Sequence, residues 1–263
     1  MISRKELSCN CSSASDTDKN FFINCCHSIL IGERDLRGIG TLGEKTLHAI
    51  IKSFIEPDTQ YHEQKVGRFV ADICKNGEIT EIQTRNFSAL RNKLSAYTPK
   101  HRVNIVYPIA AEKYISWIDP ENGDISERRK SPKQGKPWDI LYELYALRPV
   151  MPLDNVRFTL LFCNIDEFRL LSGRSRDKKH FGASRYERIP TNLVNIITLE
   201  KTADFGALIP STLDNRFTAS EFAKEAKMTR RTAGYALQTL VTLGVIEHTD
   251  TVNKAYIYKR IFL

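Results

Sequence analysis

Residues 61–84 read YHEQKVGRFVADICKNGEITEIQT, and the fold turns on how this stretch is parsed. Three runs, Tyr61–Val66, Arg68–Ile73 and Glu78–Thr84, have the composition and length of short strands. Gly67 separates the first two. Lys75-Asn76-Gly77 holds the Asn-Gly pair favoured in tight hairpins, where the turn residues must take positive φ. Side chains alternate along a strand, so Glu81 and Gln83 share a face, and the hairpin brings Asp72 alongside them. Two carboxylates meeting on a strand pair are costly unless a positive charge, such as a divalent cation, neutralises them.

Upstream, Thr41-Leu42-Gly43-Glu44 has the form of a capping box, and Leu47, Ile50, Ile51, Phe54 and Ile55 follow at helical spacing until Pro57. Downstream, Phe87, Leu90, Leu94 and Tyr97 mark a second helix, closed by Pro99, and Arg102–Ile109 is an apolar strand. The expected order is helix, three strands, helix, strand. Beyond it, Trp117–Asp124 predicts a hairpin around Asn122-Gly123, Trp138–Tyr145 a helix, and Val156–Asn164 and Leu193–Leu199 two strands. Glu127–Lys136 and Gly173–Arg188 read as basic loops.

The C-terminal stretch has its own pattern. Thr218 and Glu221 form a capping box before a short helix with Phe222, Ala223 and Ala226 inward. After a turn at Lys227-Met228, Thr229 caps a longer helix that buries Ala233, Ala236, Leu237, Leu240 and Leu243 and ends at Gly244. Val245–His248 and Tyr256–Arg260 are expected as two strands around a polar turn. This arrangement resembles the winged helix-turn-helix family. The resemblance implies that Arg230, Arg231, Tyr235 and Gln238 face DNA from the second helix.

The expected organisation is therefore an N-terminal tail over residues 1–39, partly disordered, a domain over 40–200, a linker over 201–215 and a C-terminal domain over 216–263. The chain has 263 residues and a formal charge of +8. Residues 128–188 hold fourteen Lys and Arg against seven Asp and Glu, which points to a phosphate-rich partner and singles out Arg174, Arg176, Lys178 and Lys179. No run of about 18 apolar residues occurs, so no membrane span and a cytoplasmic location are expected. The apolar segment Phe21–Ile31 lacks the features of a signal peptide. The six cysteines, Cys9, Cys11, Cys25, Cys26, Cys74 and Cys163, are poorly spaced for zinc and are expected as free thiols.

An acidic residue late in the second strand and an acidic-x-Gln triplet on the third, in this element order, resemble the PD-(D/E)XK nuclease superfamily over about Gly40–Ile109. The signature here reads Ala71-Asp72, eight intervening residues, then Glu81-Ile82-Gln83. The resemblance implies an α/β fold with a restriction-endonuclease-like αβββαβ core. It also implies hydrolysis of DNA with Mg²⁺ or Mn²⁺, in restriction, defence or repair, with RNA left open as a substrate. Glu44, Asp72, Glu81 and the Ile82 carbonyl would hold the metal. Glu63 and His62, near in sequence, are candidates for an extra ligand and a base. Lys65 could replace the missing lysine charge, and Arg85, Arg91 and Lys93 could hold backbone phosphates. Gln83 stands where the motif has lysine and offers only neutral hydrogen-bond groups. The alternative is thus a non-catalytic DNA-binding regulator with a degenerate core; a homodimer is left open for either. The two-part layout is also similar to an uncharacterised bacterial family across most of the chain.

Overall fold

A computed structural model describes residues 14–36, 45–152, 154–173 and 182–262. Helix α1 spans Asp16–Leu36 and α2 spans Thr46–Ile55. Strands β1 (His62–Val66), β2 (Phe69–Lys75) and β3 (Glu78–Ile82) follow, then α3 (Arg91–Tyr97) and β4 (Arg102–Ile118). Next come β5 (Arg129–Lys130), α4 (Ile140–Tyr145), β6 (Val156–Leu170) and β7 (Ser184–Leu199). The chain ends in β8 (Arg216–Thr218), α5 (Ala219–Glu225), α6 (Arg230–Thr242), β9 (Ile246–Val252) and β10 (Ala255–Arg260).

The main sheet runs β1-β2-β3-β4-β6-β7, with β5 paired to β4. The β1–β2, β2–β3 and β6–β7 pairs are antiparallel, whereas β3–β4 and β4–β6 are parallel. The fold is thus mixed α/β, and the element order expected around residues 61–109 is the order found. The Asn76-Gly77 turn takes positive φ at both residues, as its sequence requires.

Alternation along the central strands supplies two apolar faces, as expected where helices cover both sides of a sheet. Val103, Ile105, Phe158 and Leu160 join one cluster with Leu94 and Tyr97 of α3 and Ile140, Leu141 and Leu144 of α4. Val106, Leu161 and Cys163 join the other, with Phe22, Cys25 and Cys26 of α1 and Leu47, Ile50 and Ile51 of α2.

Strands β8, β10 and β9 form a separate three-stranded antiparallel sheet beside α5 and α6. Thr218 and Glu221 close a reciprocal capping box on α5, and Thr229 Oγ1 caps α6 by accepting from the Thr232 amide at 3.2 Å.

Three expectations need correction. Residues 16–36, assigned to the tail, form a helix whose Phe22 is fully buried. Its start is fixed by Ser15, whose hydroxyl accepts from the Asp18 amide while the Asp18 carboxylate accepts from the Ser15 amide, both at 3.1 Å. Strands β4, β6 and β7 run well past the expected ends, so Arg185 and Arg188 sit on a strand rather than in a loop. Residues 201–215 are not a loose linker: Phe205, Leu208, Ile209 and Leu213 are buried in the same cluster as α3, α4 and α6. The Thr41–Glu44 capping box falls outside the described residues, and α2 begins without a side-chain cap at Lys45.

Candidate active site and nucleic-acid interface

Asp72 on β2 and Glu81 on β3 come together as the hairpin requires. Continuing the β2–β3 register one pair beyond Ile73–Thr80 sets them opposite each other. Both are sheltered, with side chains 15% and 4% exposed. Each finds a basic side chain from a helix. His48 Nε2 of α2 lies 3.2 Å from Asp72 Oδ2, and that same oxygen accepts the Ile82 amide at 2.7 Å. Lys93 Nζ of α3 donates to both Glu81 oxygens at 2.8 and 2.9 Å and to the Val70 carbonyl at 2.8 Å.

The two carboxyls titrate in opposite directions. Burial pushes Glu81 up to about 7, helped by the charge of Asp72, and Lys93 offsets only part of this. Burial also works against ionised Asp72, but His48, the Ile82 amide and Lys93 together hold it below the usual range. The pair therefore divides into one carboxylate and one group poised near neutrality.

The other expected site residues lie differently. The Gln83 amide turns into the loop after β3, donating to the carbonyls of Arg85 and Asn86. Ile82 meets Asp72 through its N–H. Glu63 accepts from the nearly buried Lys52 at 2.6 Å, and the His62 ring contacts the Glu56 carbonyl at 2.7 Å, so both are engaged with α2 and its C-terminus. Arg91 donates to the Ala146 carbonyl. Glu44, Arg174, Arg176, Lys178 and Lys179 lie outside the described residues. Among the described residues, no group of three or more His, Cys, Asp or Glu has metal-binding geometry. Cys25, Cys26, Cys74 and Cys163 are free thiols.

On α6, Arg230 and Arg231 are exposed in the first turn. Tyr235 packs against the rest of the chain, and the exposed Gln238 is tied to it by one hydrogen bond. The Tyr235 ring packs on Tyr145 of α4 at 4.5 Å and its hydroxyl accepts from Arg231 Nε at 3.0 Å, while Gln238 Oε1 accepts from Arg148 at 2.8 Å. One side of α6 is thus covered by α4. A groove of about 1510 Å³ opens beside this contact, lined by Tyr107, Lys136, Trp138, Tyr142, Arg231 and Tyr235 among others.

His48 is the site residue that sequence reasoning missed, and Lys93 was expected to serve phosphates rather than Glu81. Both come from helices, whose rotation about the axis no strand pattern fixes. The spacing of Leu47, Ile50 and Ile51 offered one signal: it fixes the apolar face of α2, and His48 borders it.

The chain belongs to the family described as a domain of unknown function (DUF8091), which matches residues 45–200, more than half of its length. The match contains His48, Asp72, Glu81 and Lys93 and ends before the C-terminal three-stranded sheet. The chain is also similar to a protein of Treponema pallidum (strain Nichols) described as "Uncharacterized protein", at 29% identity over 144 residues. That alignment covers 54% of this chain and 57% of the relative, so the chain spans little more than half the relative's length. No solved structure matches. Among the described residues, no helix is long and apolar enough to cross a membrane.

Proposed function

We propose that the chain is a nucleic-acid-processing protein in which Asp72 and Glu81 hold a divalent cation, Mg²⁺ or Mn²⁺, for phosphodiester hydrolysis on DNA. The C-terminal unit, taken as a winged helix-turn-helix, would hold the substrate. One observation carries this reading: two sheltered carboxyl groups meet on neighbouring strands of a nuclease-like element order, with Glu81 poised near neutrality. The donor set fits a hard cation, because carboxylate oxygens are its preferred ligands and its charge would relieve the crowding that raises Glu81. When bound, such an ion supplies the positive charge that stabilises a phosphoryl group under attack.

The chain's own residues divide the remaining tasks. His48 and the Ile82 amide orient Asp72. Lys93 brings an ammonium to Glu81, so α3 supplies the charge that Gln83 lacks. Arg230 and Arg231, exposed at the start of α6, suit contact with phosphates or base edges. A second reading, a DNA-binding protein without hydrolysis, is favoured by one feature: His48 already engages one oxygen of Asp72 and Lys93 both oxygens of Glu81.

Incubation of the full chain with labelled duplex, single-stranded and branched DNA, with and without Mg²⁺ or Mn²⁺, tests both. Ion-dependent cleavage should be lost in Asp72→Ala and Glu81→Ala while binding persists. Lys93→Met should slow it strongly. Gln83→Lys should change little, since position 83 faces its own loop. No cleavage of any substrate by the wild type rejects hydrolysis. Retained binding that weakens by about 1–3 kcal/mol for each base-contacting arginine in Arg230→Ala and Arg231→Ala then selects the binding-only reading.

A further inference from the structure

Beyond the helical layers, the long strands β4, β6 and β7 carry a cluster that the proposed function does not use. At its centre is Glu167 of β6, with a side chain only 2% exposed. Arg169 Nε donates to its Oε1 at 2.7 Å, Arg185 Nε of β7 lies 3.5 Å from Oε2, and Lys113 Nζ of β4 lies 3.6 Å from the same oxygen. Arg188 stands opposite Glu167 in the β6–β7 register. Four cationic residues from three adjacent strands thus gather around one carboxylate.

This ratio is unusual for a structural ion pair. A buried carboxylate is satisfied by one or two cations, and each further one must be desolvated against the repulsion of the others. The electrostatics register that repulsion. Burial pushes Lys113 down, Glu167 offsets this, and Arg169 and Arg185 push it down further. Arg188 is likewise lowered, by burial first and then by Arg185. The ion pairs described for Lys113 and Arg185 both run to Glu167. The Arg185 side chain remains 44% exposed, so the cluster opens to solvent on one side.

We propose that Lys113, Arg185 and Arg188 form an oxyanion site for a phosphate group, with Glu167 and Arg169 as its rigid base. Guanidinium forks match the paired oxygens of phosphate, and an ammonium adds a compact charge. Strands hold these groups more firmly than a surface loop would. Glu167 keeps the cations together and leaves an excess of positive charge for the ligand. The site stands independently of the hydrolysis reading, because the phosphate can be a nucleic-acid phosphodiester or a free phosphate or phosphorylated small molecule.

Thermal unfolding of the full chain in inorganic phosphate, against sodium chloride at equal ionic strength, tests the site. Wild type should gain a saturable, phosphate-specific rise in midpoint. Arg185→Gln, a change at a partly exposed position, should raise the apparent phosphate dissociation constant at least tenfold, and Arg185→Lys should recover part of the loss. Lys113→Gln provides a second variant should the first lower the starting midpoint. An oligonucleotide that competes with phosphate, and binds more weakly to Arg185→Gln than to Asp72→Ala, identifies the nucleic-acid source. Phosphate binding without competition identifies the free one. Equal midpoints in phosphate and chloride, or a phosphate response unchanged in both Arg185→Gln and Lys113→Gln, overturns the proposal.

Discussion

Asp72 and Glu81 owe their opposed titrations to different neighbours rather than to different chemistry. Asp72 keeps its charge through His48 and a backbone N–H, whereas Glu81 sits deeper and faces Asp72. A carboxyl raised from 4.5 to about 7 is bound to a proton in the folded state while the unfolded chain has already lost it. Its favourable effect is therefore fully present below about pH 4.5 and is lost as pH rises to 7. Relative to Glu81→Gln, wild type should lose stability over that window, by an amount on the order of 3 kcal/mol at most. Denaturant unfolding at several pH values measures it, and parallel pH profiles for the two proteins would reject a raised Glu81. The two carboxylates were legible in the sequence because the Asn-Gly hairpin and strand alternation fix their meeting. Their partners were not, since pairing with His48 and Lys93 depends on how α2 and α3 rotate and pack. Gln83 was expected on the same strand face, but β3 ends at Ile82 and the Gln83 amide is captured by local carbonyls that periodicity does not report.

At the level of elements, the short, regular ones were the most readable. The hairpin, the α5 capping box and α6 follow from turn chemistry and helical spacing that act locally. Helix α1 was obscured by the Ser- and Asp-rich composition before it, although Ser15 and Asp18 form a cap and Phe22, Cys25, Cys26 and Ile29 recur at i, i+3, i+4 and i+7. The long strands were hidden for another reason. Pro190 interrupts the strand signal, and the sheet accommodates register shifts at Ala110/Lys113 of β4 and near Pro190 in the β6–β7 pair. Arg185 then reads as a loop residue, and Lys113 and Glu167 lie beyond the expected strand ends, although on the strands the three converge. If α1 belongs to the fold, Phe22→Ala should destabilise the protein by about 3–5 kcal/mol, because the ring is fully buried against Phe54 and the sheet. A change near zero in urea unfolding would return α1 to the status of a tail.

Across the whole molecule, the apolar cluster on one sheet face continues without a break into the C-terminal unit. Phe158 of β6 meets Phe205, and the cluster passes through Leu208 and Leu213 to Phe217, Phe222 and Leu240. Polar contacts reinforce this docking: Trp138 Nε1 donates to the Ala226 carbonyl at 3.2 Å, and Thr239 Oγ1 to the Leu141 carbonyl at 3.4 Å. The linker expected at residues 201–215 has no periodicity to show that its scattered apolar residues are buried by distant partners. Docking also bears on function, because the side of α6 packed on α4 is unavailable to a ligand while Arg230 and Arg231 remain exposed. The Tyr145–Tyr235 pair measures how tightly the two parts are joined. Each ring also makes contacts of its own, so the single variants mix several losses, whereas a double-mutant cycle isolates the pair. Tyr145→Ala, Tyr235→Ala and the double variant should give a coupling of about 0.5–1.5 kcal/mol, the range of aromatic pairs beyond simple burial. Wild type should unfold in one cooperative transition seen alike by near- and far-ultraviolet circular dichroism. A coupling near zero together with two separate transitions would mean that the C-terminal unit folds independently and that residues 201–215 act as a linker after all.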